Sequence, residues 1–235
     1  MIQCMFVPLR ESVRYLVTRR HSALLGVLLV IVAGVWGLVA LTDHVVEGET
    51  QRFDGRVIRW FAGHRGPQWL QDVGRDLTAL GGVTVLTLVT IAVVGFLLIS
   101  RKRGAAVVMI VAVVGGLAIG STIKHFVNRP RPPRQFQAAY VFTPSFPSGH
   151  SMLSAVTYLT LGALLAQVIQ RRVLKLYVLS IAVLVTFLVG LSRVYLGVHW
   201  PTDVLAGWTA GLVWALLCLS VAHHLQLRGA VERET

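Results

Sequence analysis

Residues 146–169 read FPSGHSMLSAVTYLTLGALLAQVI. From Ser151 to Ile169 the run is apolar and close to the roughly 20 residues a helix needs to cross the hydrocarbon core of a bilayer. Directly before it stand Pro147, Ser148, Gly149 and His150, a polar turn at the mouth of an apolar segment. Such a turn delivers the chain into a helix N-terminus, where free N–H groups and the positive end of the dipole bind anions. Taken alone, Ser148 reads as a helix cap and His150 as an interfacial side chain, so the meaning of the turn depends on what the rest of the chain brings to the same place.

Membrane-length runs recur along the chain. Its 235 residues are 55 % hydrophobic and 14 % charged, with a mean hydropathy of +0.70, which is too apolar and too poor in charge for an ordinary soluble domain. Six segments are predicted to span a bilayer: 22–41, 83–99, 104–123, 151–169, 173–191 and 203–222. The expected fold is an all-α integral membrane protein, a six-helix transmembrane bundle forming a single membrane-embedded domain over residues 1–235. The first run follows Arg19 and Arg20, exceeds the apolar core of a signal peptide, and is read as an uncleaved span. Cys4 and Cys218 are far apart, so no disulfide framework is expected.

Short basic loops stay cytoplasmic. Arg10, Arg14, Arg19 and Arg20 precede the first span, Arg101, Lys102 and Arg103 link the second and third, and Arg171, Arg172 and Lys175 link the fourth and fifth. These fall on one side, which places both termini in the cytoplasm and the connections 42–82, 124–150 and 192–202 outside. Lys124, Arg129, Arg131 and Arg134 then violate the rule, which implies that those cations have a task. The connection 42–82 is expected to hold one or two short interfacial helices with Trp60 and Trp69 at head-group level, acting as a cover for the bundle.

Between Leu77 and Val231 the only carboxylate is Asp203. The predicted topology brings it to one membrane face with Lys124, His150, Ser192, Arg193 and His199. Ionisable side chains near apolar spans are costly and mark functional sites. Cations without carboxylates imply an anionic ligand, and Arg forks with a Lys point charge suit phosphate. His199 and Asp203 are four residues apart, with Pro201 suited to a first helical turn, so the two side chains can meet. A carboxylate on one ring nitrogen leaves the other free to attack, which makes His199 the candidate nucleophile and His150 the candidate acid. A two-metal phosphatase needs several carboxylate or histidine ligands, so no metal and no other cofactor is expected; His125, His223 and His224 are read as surface positions.

Three ordered stretches carry a resemblance. Lys124-His-Phe-Val-Asn-Arg-Pro-Arg131-Pro132, then Pro147-Ser148-Gly149-His150, then Ser192-Arg193 followed at fixed spacing by His199 and Asp203, resemble the signature motifs of the type-2 phosphatidic acid phosphatase superfamily. The resemblance covers about residues 42–222. It implies that Lys124, Arg131 and Arg193 bind phosphate, with Ser148 and Gly149 adding hydrogen bonds. It further implies that His199 forms a phosphohistidine, Asp203 orients it, and His150 protonates the leaving oxygen. Arg129-Pro130 repeats Arg131-Pro132 at shorter spacing; the family spacing selects Arg131 and leaves Arg129 as a secondary candidate.

The expected activity is hydrolysis of a lipid phosphomonoester or diphosphate, with undecaprenyl diphosphate, phosphatidylglycerophosphate and phosphatidate as candidate substrates. The expected setting is a bacterial inner membrane with the site facing the periplasm, and no nucleic acid is involved. A phosphotransferase would use the same intermediate but require a lipid acceptor. A non-catalytic transporter of anionic lipids would use the cations but not the His199–Asp203 pair, and a haloperoxidase is disfavoured by the six apolar spans.

Overall fold

A computed structural model describes residues 9–138 and 143–227, with side chains described over 24–138 and 143–226. Cys4 lies outside the described residues. Among them the regular structure is helical: α1 (Leu9–Val46), α2 (Gln51–Gly63), α3 (Gln68–Ala79), α4 (Val83–Ile99), α5 (Arg103–Val127), a 3-10 turn (Arg134–Phe136), α6 (Gly149–Val168), α7 (Arg172–Tyr195) and α8 (Pro201–Leu227). The two short helices α2 and α3 fill the first connection, as the apolar spacing there predicts.

Five of these helices are long and apolar enough to cross a membrane, and the pair α3 and α4, bent by 45°, counts as a sixth if taken as one span. Two boundaries differ from the sequence expectation. The first span continues to Val46, because nothing between Leu41 and Val46 breaks a helix. The second, α4, has only 17 residues, since Gly81 and Gly82 interrupt the helix where α3 hands over to it.

Polarity runs inside out. Trp36, Phe126 and Ile99 are 74 %, 80 % and 86 % exposed, while Ser151, Ser154, Thr157, Thr160, Arg193, His199 and Asp203 are buried. In a bilayer the apolar surface needs no cover, and ionisable groups must turn inward. The helix after the opening turn, α6, is central and packs against α5, α7 and α8. Its approach to α8 is close enough to demand glycine: a Cβ on Gly207 would lie 2.7 Å from the carbonyl oxygen of Ser148, and one on Gly211 would lie 2.6 Å from that of Met152. That contact sets the start of α6 against the start of α8.

The basic links lie at the far end. Leu97, Ala105 and Ala106 cluster with Leu164, which puts the Arg101–Arg103 link beside the end of α6. The opposite end gathers the C-termini of α5 and α7 with the N-termini of α6 and α8.

Candidate active site

Each site residue sits at a helix end for a local reason. Asn128 takes a left-handed conformation at φ 42° and ends α5, so Lys124 occupies the last helical turn while Arg129 and Arg131 follow on a segment without regular structure. Ser148 caps α6, its Oγ 3.4 Å from the N–H of Ser151 and accepting from the Ser151 hydroxyl at 2.9 Å. Pro201, which fits the first turn of a helix because it has no N–H to lose, opens α8. The N–H of Ser148 donates to the Asp203 carbonyl at 2.9 Å, joining the two helix starts.

His199 and Asp203 are 1 % and 0 % exposed. His199 Nδ1 faces Asp203 Oδ2 at 3.5 Å and the Ser145 hydroxyl at 3.4 Å, both long for a hydrogen bond. On the other side, Arg131 Nη1 lies 3.1 Å from His199 Nε2. A guanidinium only donates, so Nε2 is the acceptor and the ring proton sits on Nδ1, toward Asp203. Burial pushes the His199 pKa down to about 3, against the opposing pull of the Asp203 hydrogen bond and with Arg193 and Arg131 adding to the fall. The imidazole is therefore neutral, with its Nε2 lone pair aimed at the cations. Asp203 is held by Arg129 Nη1 at 2.6 Å on Oδ1, by the N–H of Trp200 at 2.9 Å on Oδ2, and by a short hydrogen bond from the Ser145 hydroxyl.

Lys124, Arg131 and Arg193 converge on the same place without a carboxylate partner among the described residues. Lys124 Nζ donates to the Pro144 carbonyl at 2.8 Å. Arg131 donates to the carbonyls of Thr143 and Val198 at 2.7 and 2.6 Å. Arg193 donates through Nη1 to the Thr78 hydroxyl at 2.8 Å, and its buried Nε has no partner. Neutral oxygens position these cations but leave their charge uncompensated, an arrangement suited to an anion. Arg129 is different: its charge is taken up by Asp54 at 2.7 Å and Asp203 at 2.6 Å. The geometry thus separates the two arginines that the sequence spacing had left as first and second candidates.

His150 lies in the first turn of α6, half-buried, against the corner between α3 and α4. A Cβ on Gly81 would collide with Val189 and come within 3.2 Å of the His150 carbonyl oxygen, so only glycine lets the corner close on His150. At Gly149 a Cβ would meet Lys124 Cε at an ordinary 3.7 Å; protein packing alone does not demand glycine there. Ser192 is turned to its own helix, donating to the Val189 carbonyl at 2.7 Å.

Three contributors escape the sequence reading: Asp54, Thr50 and Ser145. The connection 42–82 is more than a cover, since Asp54 from α2 is 0 % exposed and bonds to Thr202 and Arg129. A signal existed in the periodicity, because Asp54 shares the spacing of Ile58 and Phe61, the face of α2 packed on the bundle. His125, His223 and His224 are exposed, as expected. Among the described residues the group able to share a cation is His44, Glu47 and Glu49, all exposed. Neither His150 nor the His199–Asp203 pair belongs to it.

Helix ends bearing a histidine–carboxylate pair and three cations without carboxylate partners among the described residues, carried on membrane-length helices, suit a multi-pass membrane protein that handles an anionic group. Residues 104–226 match the family model of the PAP2 superfamily; the chain belongs to that superfamily and is a membrane lipid phosphatase. It is 31 % identical over 151 residues to phosphatidylglycerophosphatase B of Bacillus subtilis, covering 62 % of this chain and 71 % of the relative. It is 32 % identical over 120 residues to an undecaprenyl-diphosphatase of Sulfolobus acidocaldarius, covering 49 % and 54 % respectively. The fold is similar to the crystal structure of a transmembrane PAP2-type phosphatidylglycerolphosphate phosphatase from Bacillus subtilis, with a TM-score of 0.78 and 26 % identity over 83 % of this chain and 96 % of that one. It is also similar to Aquifex aeolicus LpxE, with a TM-score of 0.57 and 27 % identity over 70 % and 93 %.

Proposed function

We propose that the chain hydrolyses a lipid phosphomonoester or diphosphate through a phosphohistidine on His199, without a metal. The observation that carries the reading is the buried His199, with Nδ1 toward Asp203 and Nε2 toward Arg131. Lys124, Arg131 and Arg193 bind the phosphoryl oxygens, with the unpartnered Nε of Arg193 supplying a ready donor. The free N–H groups at the start of α6, including the backbone of Gly149, add to them, and the lack of a Cβ at Gly149 leaves room for the ligand. Ser148 contributes from the cap it forms.

Nε2 of His199 attacks phosphorus, the bond to the leaving oxygen breaks, and His150 gives that oxygen a proton. Water then attacks the phosphohistidine, losing its proton to His150, and the P–N bond breaks to release inorganic phosphate. Asp203 faces the Nδ1 proton and balances the positive ring that exists while phosphorus is attached. The donor set supports the metal-free reading. Both oxygens of Asp203 are taken by Arg129, Ser145 and the Trp200 N–H, and those of Asp54 by Thr202 and Arg129.

The relatives act on phosphatidylglycerophosphate and undecaprenyl diphosphate by their names, and we take these two, with phosphatidate, as the substrate panel. The basic links at the far end of the bundle support an orientation with the site outside a bacterial inner membrane and both termini in the cytoplasm. Purified protein is expected to release inorganic phosphate from the panel without a lipid acceptor, to retain activity in a strong chelator, and to lose all activity and phosphoenzyme in His199→Ala. Activity lost on chelation and restored by a divalent cation refutes the metal-free mechanism. Phosphate release only when a second lipid is added points to a transferase.

A further inference from the structure

We propose that Asp54, acting through Arg129, sets the net charge of the buried cluster on the Nδ1 side of His199, and that α2 in this way supplies a positioning residue to the site. The inference rests on the phosphohistidine reading above. Asp54 is buried on the bundle-facing side of α2 and accepts from Arg129 Nη2 at 2.7 Å, from the Thr202 hydroxyl at 2.6 Å and from the Thr202 N–H at 3.1 Å. The same Thr202 hydroxyl accepts from Arg129 Nη1 at 2.8 Å, and Thr50 accepts from Nη2 at 3.1 Å. Arg129 is closed in further by Trp200, whose ring centroid lies 5.5 Å from the guanidinium carbon. Its side chain is only 9 % exposed, so its charge is answered by protein and little by water.

The consequence is a matter of charge counting. Arg129 and Asp203 alone form a neutral pair, and a neutral pair offers little to a histidine ring that becomes positive when Nε2 bonds to phosphorus. Asp54 adds a second carboxylate to the far side of Arg129, so the buried cluster Asp54–Arg129–Asp203 carries one net negative charge. Oδ1 of Asp203 is occupied by Arg129, and Oδ2, which also accepts from the Ser145 hydroxyl and the Trp200 N–H, is the oxygen that faces Nδ1 of His199. Arg129 fixes the carboxylate, and Asp54 prevents that fixing from cancelling its charge. A merely mechanical latch between α2 and α8 would need the hydrogen bonds but not the second charge.

Asp54→Asn keeps the size and one acceptor oxygen and leaves Arg129 paired with Asp203, so no buried charge is orphaned. Turnover of a nitrophenyl phosphate, per folded enzyme, is expected to fall about 10–100-fold, by analogy with the outer partners that orient metal-ligating histidines, with KM little changed. The double variant Asp54→Asn with Arg129→Gln returns the cluster to one negative charge and is expected to regain turnover relative to Asp54→Asn alone. Unchanged turnover in Asp54→Asn overturns the proposal, and so does a double variant slower than the single one, which is the behaviour of a latch. If Asp54→Asn does not fold, judged by size exclusion and thermal unfolding, the double variant decides by itself: turnover within about tenfold of wild type supports the charge count, and an inactive folded protein refutes it. Wild type and His199→Ala are measured alongside. Equal phosphate release by those two would show that the site reading itself has failed, separately from the outcome at Asp54.

Discussion

At the scale of single residues, the two histidines separate by environment. His199 is buried between a carboxylate and a guanidinium, while His150 sits half-buried at a helix start. In the proposed mechanism His199→Ala is expected to abolish turnover of every substrate. In the same proposed mechanism His150→Ala removes a proton donor, whose contribution is typically about 10²–10⁴-fold and depends on how badly the leaving group needs the proton. The loss is expected to be severe on phosphatidate, which expels a poor alkoxide, and much milder on a nitrophenyl phosphate. Steady-state turnover of the variant on both substrates tests this. Equal losses would make His150 a phosphate ligand.

Elements carry the next level of argument. The starts of α6 and α8 are held together because Gly207 and Gly211 let the two backbones touch, and through that contact the N–H of Ser148 reaches the carbonyl of Asp203. Gly207→Val forces atoms into an occupied space, for which overpacking costs about 1–3 kcal/mol. The expected result is a lower thermal unfolding midpoint in detergent, with turnover lost beyond what the unfolded fraction explains. A fully stable and active Gly207→Val protein would mean that the approach of α6 to α8 is looser than described. The first connection is the element whose part the sequence conceals. A lone acid on a short amphipathic helix reads as a surface charge, and only its register with Ile58 and Phe61 hinted that it faces the bundle.

For the whole molecule, the question is which end faces which side. The site gathers one end of the bundle, and the links containing Arg101–Arg103 and Arg171–Lys175 gather the other. In a chain with Cys4 and Cys218 replaced by Ser, a cysteine at the exposed position Gln135, near the site, should react in intact cells with an impermeant thiol reagent. One at Ser100, in the far link, should react only after the inner face is opened. The reverse pattern would invert the orientation and place the site in the cytoplasm.

The apolar runs, the basic links and the spacing of Lys124, Arg131, His150, Arg193, His199 and Asp203 are properties of the linear chain, and they determined the helical membrane fold, the ends at which the helices meet, and the class of chemistry. They could do so because a bilayer imposes a length on each span, because Lys and Arg bias which loops stay inside, and because the histidine–carboxylate pair lies within one helical turn of sequence. Only the tertiary structure decided which arginine has carboxylate partners and which has none among the described residues. Arg129 and Arg131 are two residues apart in identical Arg-Pro dipeptides, yet one is spent on Asp54 and Asp203 and the other faces His199. That difference is made by a carboxylate 75 residues away on α2, and a contact across such a separation exists only once the helices have packed.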